Sequence, residues 1–311
     1  MQHDAPDEAI SQHGSSSAGQ TTAALLGAMR PRQWVKNLLV VVAPAAAGKA
    51  FHIHVVARTG VAFVAFCLAA SGVYLFNDVR DAEADRAHPV KRRRPIASGA
   101  VTPGLAGAAG TGLICAALTI GALLNWRLGV VVALYVAESI AYSFGGKALS
   151  VIELGLVASG FVLRAIAGGV ASRLPLSSWF LVVISFGALF VVTGKRLAEF
   201  QSLGDDAGSH RRVLESYTRS FLEAALILCA GVTVTAYCLW AFTPASSGLG
   251  VHHAALWIQV SVAPVVLAVL YVLLQLDAGR GGAPEDLVLR DRTIQALGVC
   301  WAVLVAVGVY R

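Results

Sequence analysis

Asn77, Asp78, Asp81 and Asp85 bring an amide and three carboxylates into the nine residues NDVRDAEAD, at the end of an apolar stretch that begins near Val55. On a helix, Asn77, Asp81 and Asp85 stand at i, i+4 and i+8 and share one face, with Asp78 beside the first. Such a face repels itself unless a cation occupies it. Hard oxygen ligands suit magnesium, which keeps several waters and binds through one or two carboxylates plus substrate phosphates. The pattern therefore predicts Mg2+ on Asn77, Asp81 and Asp85, chemistry at Asp78, Asp81 and Asp85, and a diphosphate as the partner.

Cations gather beside and beyond this run. Arg86 to Pro95 (RAHPVKRRRP) adds five of them within ten residues. A basic run of this kind reads as a solvated loop or a lipid-headgroup contact as readily as a ligand site. Arg80, Lys91 and Arg94 are its candidates for holding phosphate. Tyr142 and Lys147, in YSFGGK, offer a hydroxyl and an ammonium to phosphate oxygens. Thr193 to Phe200 (TGKRLAEF) supplies Lys195, Arg196 and Glu199, and the chain continues to Asp205, Asp206, Arg211 and Arg212. Lys195 and Glu199 are four apart and read equally well as a surface ion pair. Arg164 lies well inside an apolar run, where it should face a cavity or a partner; Glu153 or Glu138 would serve as that partner. Lys36, in RPRQWVK, completes the set.

These residues must be positioned by membrane helices. The chain of 311 residues is 57% hydrophobic and 14% charged, with a mean hydropathy of +0.69, well above soluble domains. Apolar runs near the length needed to cross a bilayer occur around 33–49, 55–77, 103–124, 127–144, 150–171, 177–195, 218–241, 252–275 and 292–310. The expected fold class is all-α, a polytopic membrane helical bundle of about nine transmembrane helices. With a cytoplasmic N-terminus, 18 of the 24 Lys and Arg fall on the inner side and five on the outer, with Arg164 inside a span. That asymmetry sets orientation. It predicts a multi-pass protein of the plasma membrane with its site on the cytoplasmic side.

Residues 1–22, rich in Ser, Gln, His and acidic residues, carry too little apolar content to order themselves and are expected to be a disordered cytoplasmic tail; 23–311 is expected to be a single catalytic domain. Gly and Ala recur inside the spans, as in GAAGTG (107–112) and AIAGGVA (165–171), and read as helix packing. The five cysteines are scattered through apolar segments without metal-ligand spacing and read as small hydrophobes.

In order along the chain, NDxxDxxxD closing the second span, YSxxxK closing the fourth and a charged motif closing the sixth resemble the UbiA-type intramembrane prenyltransferase superfamily. Within it, NDVRDAEADRAHPVKRRRPIASG, SGFVLRAIAGGVA and GKRLAEF are most similar to the actinobacterial members that act on 5-phosphoribosyl 1-diphosphate and a polyprenyl (decaprenyl) phosphate. That resemblance implies transfer of phosphoribose to the lipid phosphate with release of diphosphate, on the route to decaprenyl-phosphoryl arabinose and cell-wall arabinan. It also marks a departure. Ordinary members end the sixth span with a second aspartate motif, and here Lys195, Arg196 and Glu199 stand at that place. The departure favours a second anion site over a second metal site. Lys195 is accordingly placed in the chemistry, while Lys36, Arg80, Lys91, Arg94, Tyr142, Lys147, Arg164, Arg196 and Glu199 are placed on substrate.

Two other readings share some of these features. A prenyltransferase acting on an aromatic or lipid acceptor keeps the first motif but needs the second aspartate motif. A secondary transporter also uses intramembrane charge, but near the midplane in broken helices, whereas most charge here collects at one end of the spans. The bilayer is the expected surroundings, no nucleic-acid partner is expected, and a homo-oligomer stays open.

Overall fold

The computed structural model describes residues 9–203, 212–243, 252–279 and 291–310. Among them every regular element is a helix. In chain order these are α1 (Ala9–Ala28), a 3-10 helix (Pro31–Val41) running into α2 (Val42–Ala46), α3 (Ile53–Arg80), α4 (Ala82–Ala87), α5 (Pro103–Leu124), α6 (Trp126–Ser143), α7 (Ile152–Ser172), α8 (Ser178–Leu203), α9 (Arg219–Phe242), α10 (His252–Val260), α11 (Val262–Asp277) and α12 (Arg292–Tyr310), with short 3-10 turns at Lys91–Arg93, Gly146–Ala148 and Arg212–Ser216.

Among the described residues, seven stretches are long and apolar enough to cross a membrane: α3, α5, α7, α8, α9, Leu256–Asp277 across α10 and α11, and α12. The remaining two of the nine apolar runs are helical but less regular or shorter. The run at 33–49 forms the 3-10 helix and α2, where Pro31 and Pro44 lack the amide donors a continuous α-helix uses. The run at 127–144 forms α6, which is 18 residues long and carries Arg127 and Glu138.

Of the tail expected over 1–22, residues 1–8 lie outside the described residues. Residues 9–22 belong to α1, whose C-terminal turns carry Ala24, Leu25, Ala28 and Met29 into a core with Leu75, Ile96, Val101 and Ala106. Tertiary packing at one end of a helix supplies the stability its own sequence lacks. The described residues divide into two compact units, one built from those up to Leu38 with Gly60–Val136, the other from Leu39–Thr59 with those from Ala137 on.

In the first unit, α3 and α5 touch backbone to backbone. A Cβ added to Gly72 would lie 2.8 Å from the carbonyl oxygen of Gly110, so this crossing admits only glycine at position 72. Of the three glycines in 107–112, only Gly110 makes the approach; Gly107 and Gly112 have open space beside them. Thr102 caps α5 by accepting from the Leu105 amide at 3.3 Å, with Pro103 as the first helical residue. Trp34 Nε1 donates to Ser71 Oγ at 3.1 Å, and that hydroxyl donates to the Met29 carbonyl at 3.1 Å. These bonds fix the segment after α1 against the middle of α3.

In the second unit, α7, α8, α9 and α11 enclose a core of Leu154, Leu197, Leu214, Leu222, Leu226 and Leu276. Gly168 of α7 lies against Val40 so closely that a Cβ would strike its carbonyl, which accounts for part of the glycine-rich run 165–171. Tyr237 accepts from Trp301 Nε1 at 2.8 Å, and its hydroxyl lies 2.7 Å from Ser261 Oγ. The three side chains tie α9, the α10–α11 junction and α12 together, each polar group finding a partner in an apolar setting.

Candidate active site

The first unit holds the acidic set. The backbone ladder runs on from α3 into α4, with Asp81 N–H bonded to the Asn77 carbonyl at 2.9 Å and Asp85 N–H to that of Asp81 at 2.8 Å. Asp81 itself, at φ −88° and ψ 4°, opens the helix between the two segments. Asn77, Asp81 and Asp85 thus stay one turn apart along this ladder. Asp78 and Asp85, two turns apart, are the buried carboxylates, at 3% and 4% exposure, while Asn77 and Asp81 are half-buried.

Two arginines meet the buried pair. Arg94 Nη1 lies 2.7 Å from Asp85 Oδ2 and 3.2 Å from Asp78 Oδ1, and Arg30 Nη2 lies 2.6 Å from the same Asp78 oxygen. Arg30 also sits over the Tyr74 ring, 4.9 Å from its centroid. The loop carrying Arg94 is folded back by local bonds: Arg86 Nε donates to the Ala97 carbonyl at 3.2 Å, and Val101 N–H bonds the Pro95 carbonyl at 3.0 Å. Ile96, wholly buried in the core, anchors that loop. Arg94 is therefore the member of the basic run that reaches the acids. Arg80 and Lys91 are exposed on the surface.

Among the described residues no three of His, Cys, Asp and Glu gather into a ready-made metal cage. Magnesium does not require one, since it commonly binds through one or two carboxylates and substrate phosphates. Two buried carboxylates with a cation already lying between them are a donor set of that kind, so the residues present fit the ion.

The second unit holds a different arrangement. Arg196 is 4% exposed and grips Glu153 with two nitrogens, Nε at 2.6 Å and Nη2 at 2.7 Å, while Nη1 reaches Glu199 at 2.6 Å. Glu153 has no exposed surface. Planar two-point pairing of this type is among the strongest side-chain contacts. Arg196, expected on substrate, here links α7 to α8, with its donors turned to carboxylates. Glu199 likewise pairs with Arg196. Of the two partners suggested for Arg164, Glu153 is committed to Arg196. Glu138 is within electrostatic reach of Arg164, whose Nη1 also donates to the Gly160 carbonyl at 2.6 Å.

Lys195 is half-buried on α8, and Lys147 is exposed in the turn after α6. Tyr142 is half-buried and within electrostatic reach of Arg196. That turn is held by an unforeseen residue: the Tyr217 hydroxyl accepts from Val151 N–H at 2.7 Å. Val151 has φ +65°, a strained conformation for a β-branched residue. Burial pushes the Tyr217 hydroxyl above its ordinary pKa. Lys36 is half-buried on the first 3-10 helix, and Asp205, Asp206 and Arg211 lie outside the described residues.

Sequence reasoning missed Arg30 and Glu153 as members of these sets. The signal for Arg30 was its place before Pro31, where the helix is expected to end.

A helical membrane bundle with an acidic set at the end of one long helix defines a class, and the comparisons place the chain within it. Residues 38–289 match the model of the UbiA prenyltransferase family, and the chain belongs to that family. It is 45% identical over 294 residues, covering 92% of each chain, to the decaprenyl-phosphate phosphoribosyltransferase of Mycolicibacterium smegmatis. It is 42% identical over 294 residues, covering 92% of this chain and 86% of the other, to the protein of the same name from Corynebacterium glutamicum. Among solved structures it resembles a UbiA homologue from Archaeoglobus fulgidus bound to GPP and Mg2+, with a TM-score of 0.67 at 16% identity over 92% of this chain and 99% of that one.

Proposed function

We propose that the chain transfers 5-phosphoribose from 5-phosphoribosyl 1-diphosphate to a polyprenyl phosphate, decaprenyl phosphate by its relatives' name, and releases diphosphate. The observation that carries this reading is the 45% identity to a decaprenyl-phosphate phosphoribosyltransferase across 92% of both chains. Lys195 and Arg196, standing with Glu199 where the resemblance puts the second aspartate motif of prenyl-transferring members, agree with it.

The reaction follows from charge. Bond breaking at the anomeric carbon leaves an oxocarbenium-like ribose and a departing diphosphate, and the acceptor phosphate, already an anion, attacks without a general base. Asp78 and Asp85, with Asp81 and Asn77 at the same helix junction, would hold magnesium, which neutralises the charge developing on the leaving group. Arg30 and Arg94 stabilise that charge without moving a proton. Lys195, Lys147, Tyr142 and Lys36 are the candidates for the remaining phosphate oxygens, with Arg80 and Lys91 at the exposed rim of the acidic set. Arg196 positions α7 against α8 through Glu153.

The test is purified protein with magnesium and donor labelled in the ribose, offered either polyprenyl phosphate or an allylic diphosphate with an aromatic acceptor. Ribose label should enter the lipid phase only with polyprenyl phosphate. Prenylation of the aromatic acceptor, with no labelled lipid, would replace this reading with the prenyltransferase one. The inner face of the plasma membrane is the proposed location, supported by the distribution of basic residues. Arg92→Cys in a cysteine-free background should resist an impermeant thiol reagent in intact cells, and labelling from outside would reverse the orientation.

A further inference from the structure

We propose that Arg94 and Arg30 are exchangeable cations of the donor site, neutralising Asp78 and Asp85 in the unloaded protein and passing to the donor's diphosphate when a divalent cation takes their place on the carboxylates. The proposal rests on the phosphoribosyl-transfer reading and gives these two arginines a role in the order of binding.

Three observations carry it. Asp78 and Asp85 are nearly wholly buried, so the pair requires compensation at all times; an unpaired buried carboxylate is too costly to leave. The compensation is by single nitrogens, Arg94 Nη1 shared between the two carboxylates and Arg30 Nη2 on Asp78. Both arginines remain about one-third exposed, at 29% and 32% of the side chain. The same chain shows what a permanent pair looks like in Arg196, 4% exposed and fixed by two nitrogens on Glu153. Finally, Arg30 holds its position from a left-handed backbone at φ +55°, directly before a proline, a conformation that costs energy in any residue but glycine. From there it presents a guanidinium to Asp78.

Charge then dictates the order. Two arginines balance Asp78 and Asp85, so a divalent cation arriving alone leaves net positive charge at the site even with the half-buried Asp81 counted. Adding cation and diphosphate together restores balance, and the displaced guanidiniums find phosphate oxygens that match their geometry. The site should therefore bind the metal weakly by itself and tightly as its diphosphate complex.

The experiment uses full-length protein in nanodiscs, with Mn2+ as the probe, alone and as its complex with inorganic diphosphate. Arg94→Gln should bind Mn2+ alone about tenfold more tightly than wild type, because the competing cation is gone, and its diphosphate complex about tenfold more weakly, the scale of one lost charge-assisted contact. Arg30→Gln should move both affinities in the same directions by less, and it carries the test if Arg94→Gln does not fold. Weaker binding of Mn2+ alone in a folded variant, or unchanged affinity for both probes, would overturn the proposal. Neither probe contains ribose or lipid, so the manganese result tests the exchange of cations separately from the transfer assay, which tests the functional reading.

Discussion

Two acidic sets in one chain are neutralised by arginine in opposite ways. At the α3–α4 junction, buried Asp78 and Asp85 share two half-exposed arginines through single nitrogens; between α7 and α8, Glu153 is locked by a fully buried Arg196 through two. The first arrangement can be exchanged for a metal and a phosphate without unpacking the protein. The second cannot, because removing either partner leaves an uncompensated charge inside the unit. The difference separates a site that changes its ligands from a joint that holds helices, although both look alike in sequence as carboxylates near basic residues.

The largest effect should come from breaking the joint. Arg196→Ala should cost about 3–5 kcal/mol of stability, the usual consequence of stranding a buried carboxylate, measured as a lower unfolding midpoint in detergent or nanodiscs. A midpoint near that of wild type would mean that water reaches Glu153 and that the joint is not closed. Next, Asp85→Asn should lower the transfer rate by a hundredfold or more, as loss of a preorganised electrostatic group typically does. Near-normal turnover would move the chemistry away from the α3–α4 junction.

Smaller substitutions sharpen the comparison within the second unit. Lys195→Ala should raise the KM for one phosphorylated substrate by an amount equivalent to about 1.5–3 kcal/mol, and Lys195→Asp should be worse, since it sets a like charge against phosphate. An aspartate variant equal to wild type would argue that Lys195 belongs to the joint and does not meet substrate. The smallest change is Tyr217→Phe. It removes the acceptor for the Val151 amide and should cost about 1 kcal/mol of stability, with turnover affected only as far as the Lys147 turn shifts.

Much of this was legible before any coordinates. Period and length placed nine helical stretches close to where they occur, because a bilayer demands uninterrupted apolar helices and leaves few alternatives. The acidic run was found for the same reason: Asp78, Asp81 and Asp85 are expensive where they stand. What stayed hidden depended on tertiary structure. Helical spacing put Asn77, Asp81 and Asp85 on one face, but Arg30 and Arg94 approach from outside the helix and decide which carboxylates are buried. Lys195 and Glu199 have ion-pair spacing, but that spacing does not announce that Glu199 also meets Arg196, which Glu153 orients from a different helix.

The contrast itself is tested most directly by measuring unfolding midpoint and single-turnover transfer rate together for Asp85→Asn and Glu153→Gln in matched nanodisc preparations. The predicted result is a crossed pattern: Asp85→Asn keeps its midpoint near wild type and loses at least about a hundredfold in rate, while Glu153→Gln loses stability and, below its midpoint, retains most of its rate. If both variants lost stability and rate in parallel, or if Glu153→Gln were stable and inactive, the division between an exchangeable site and a fixed joint would be wrong.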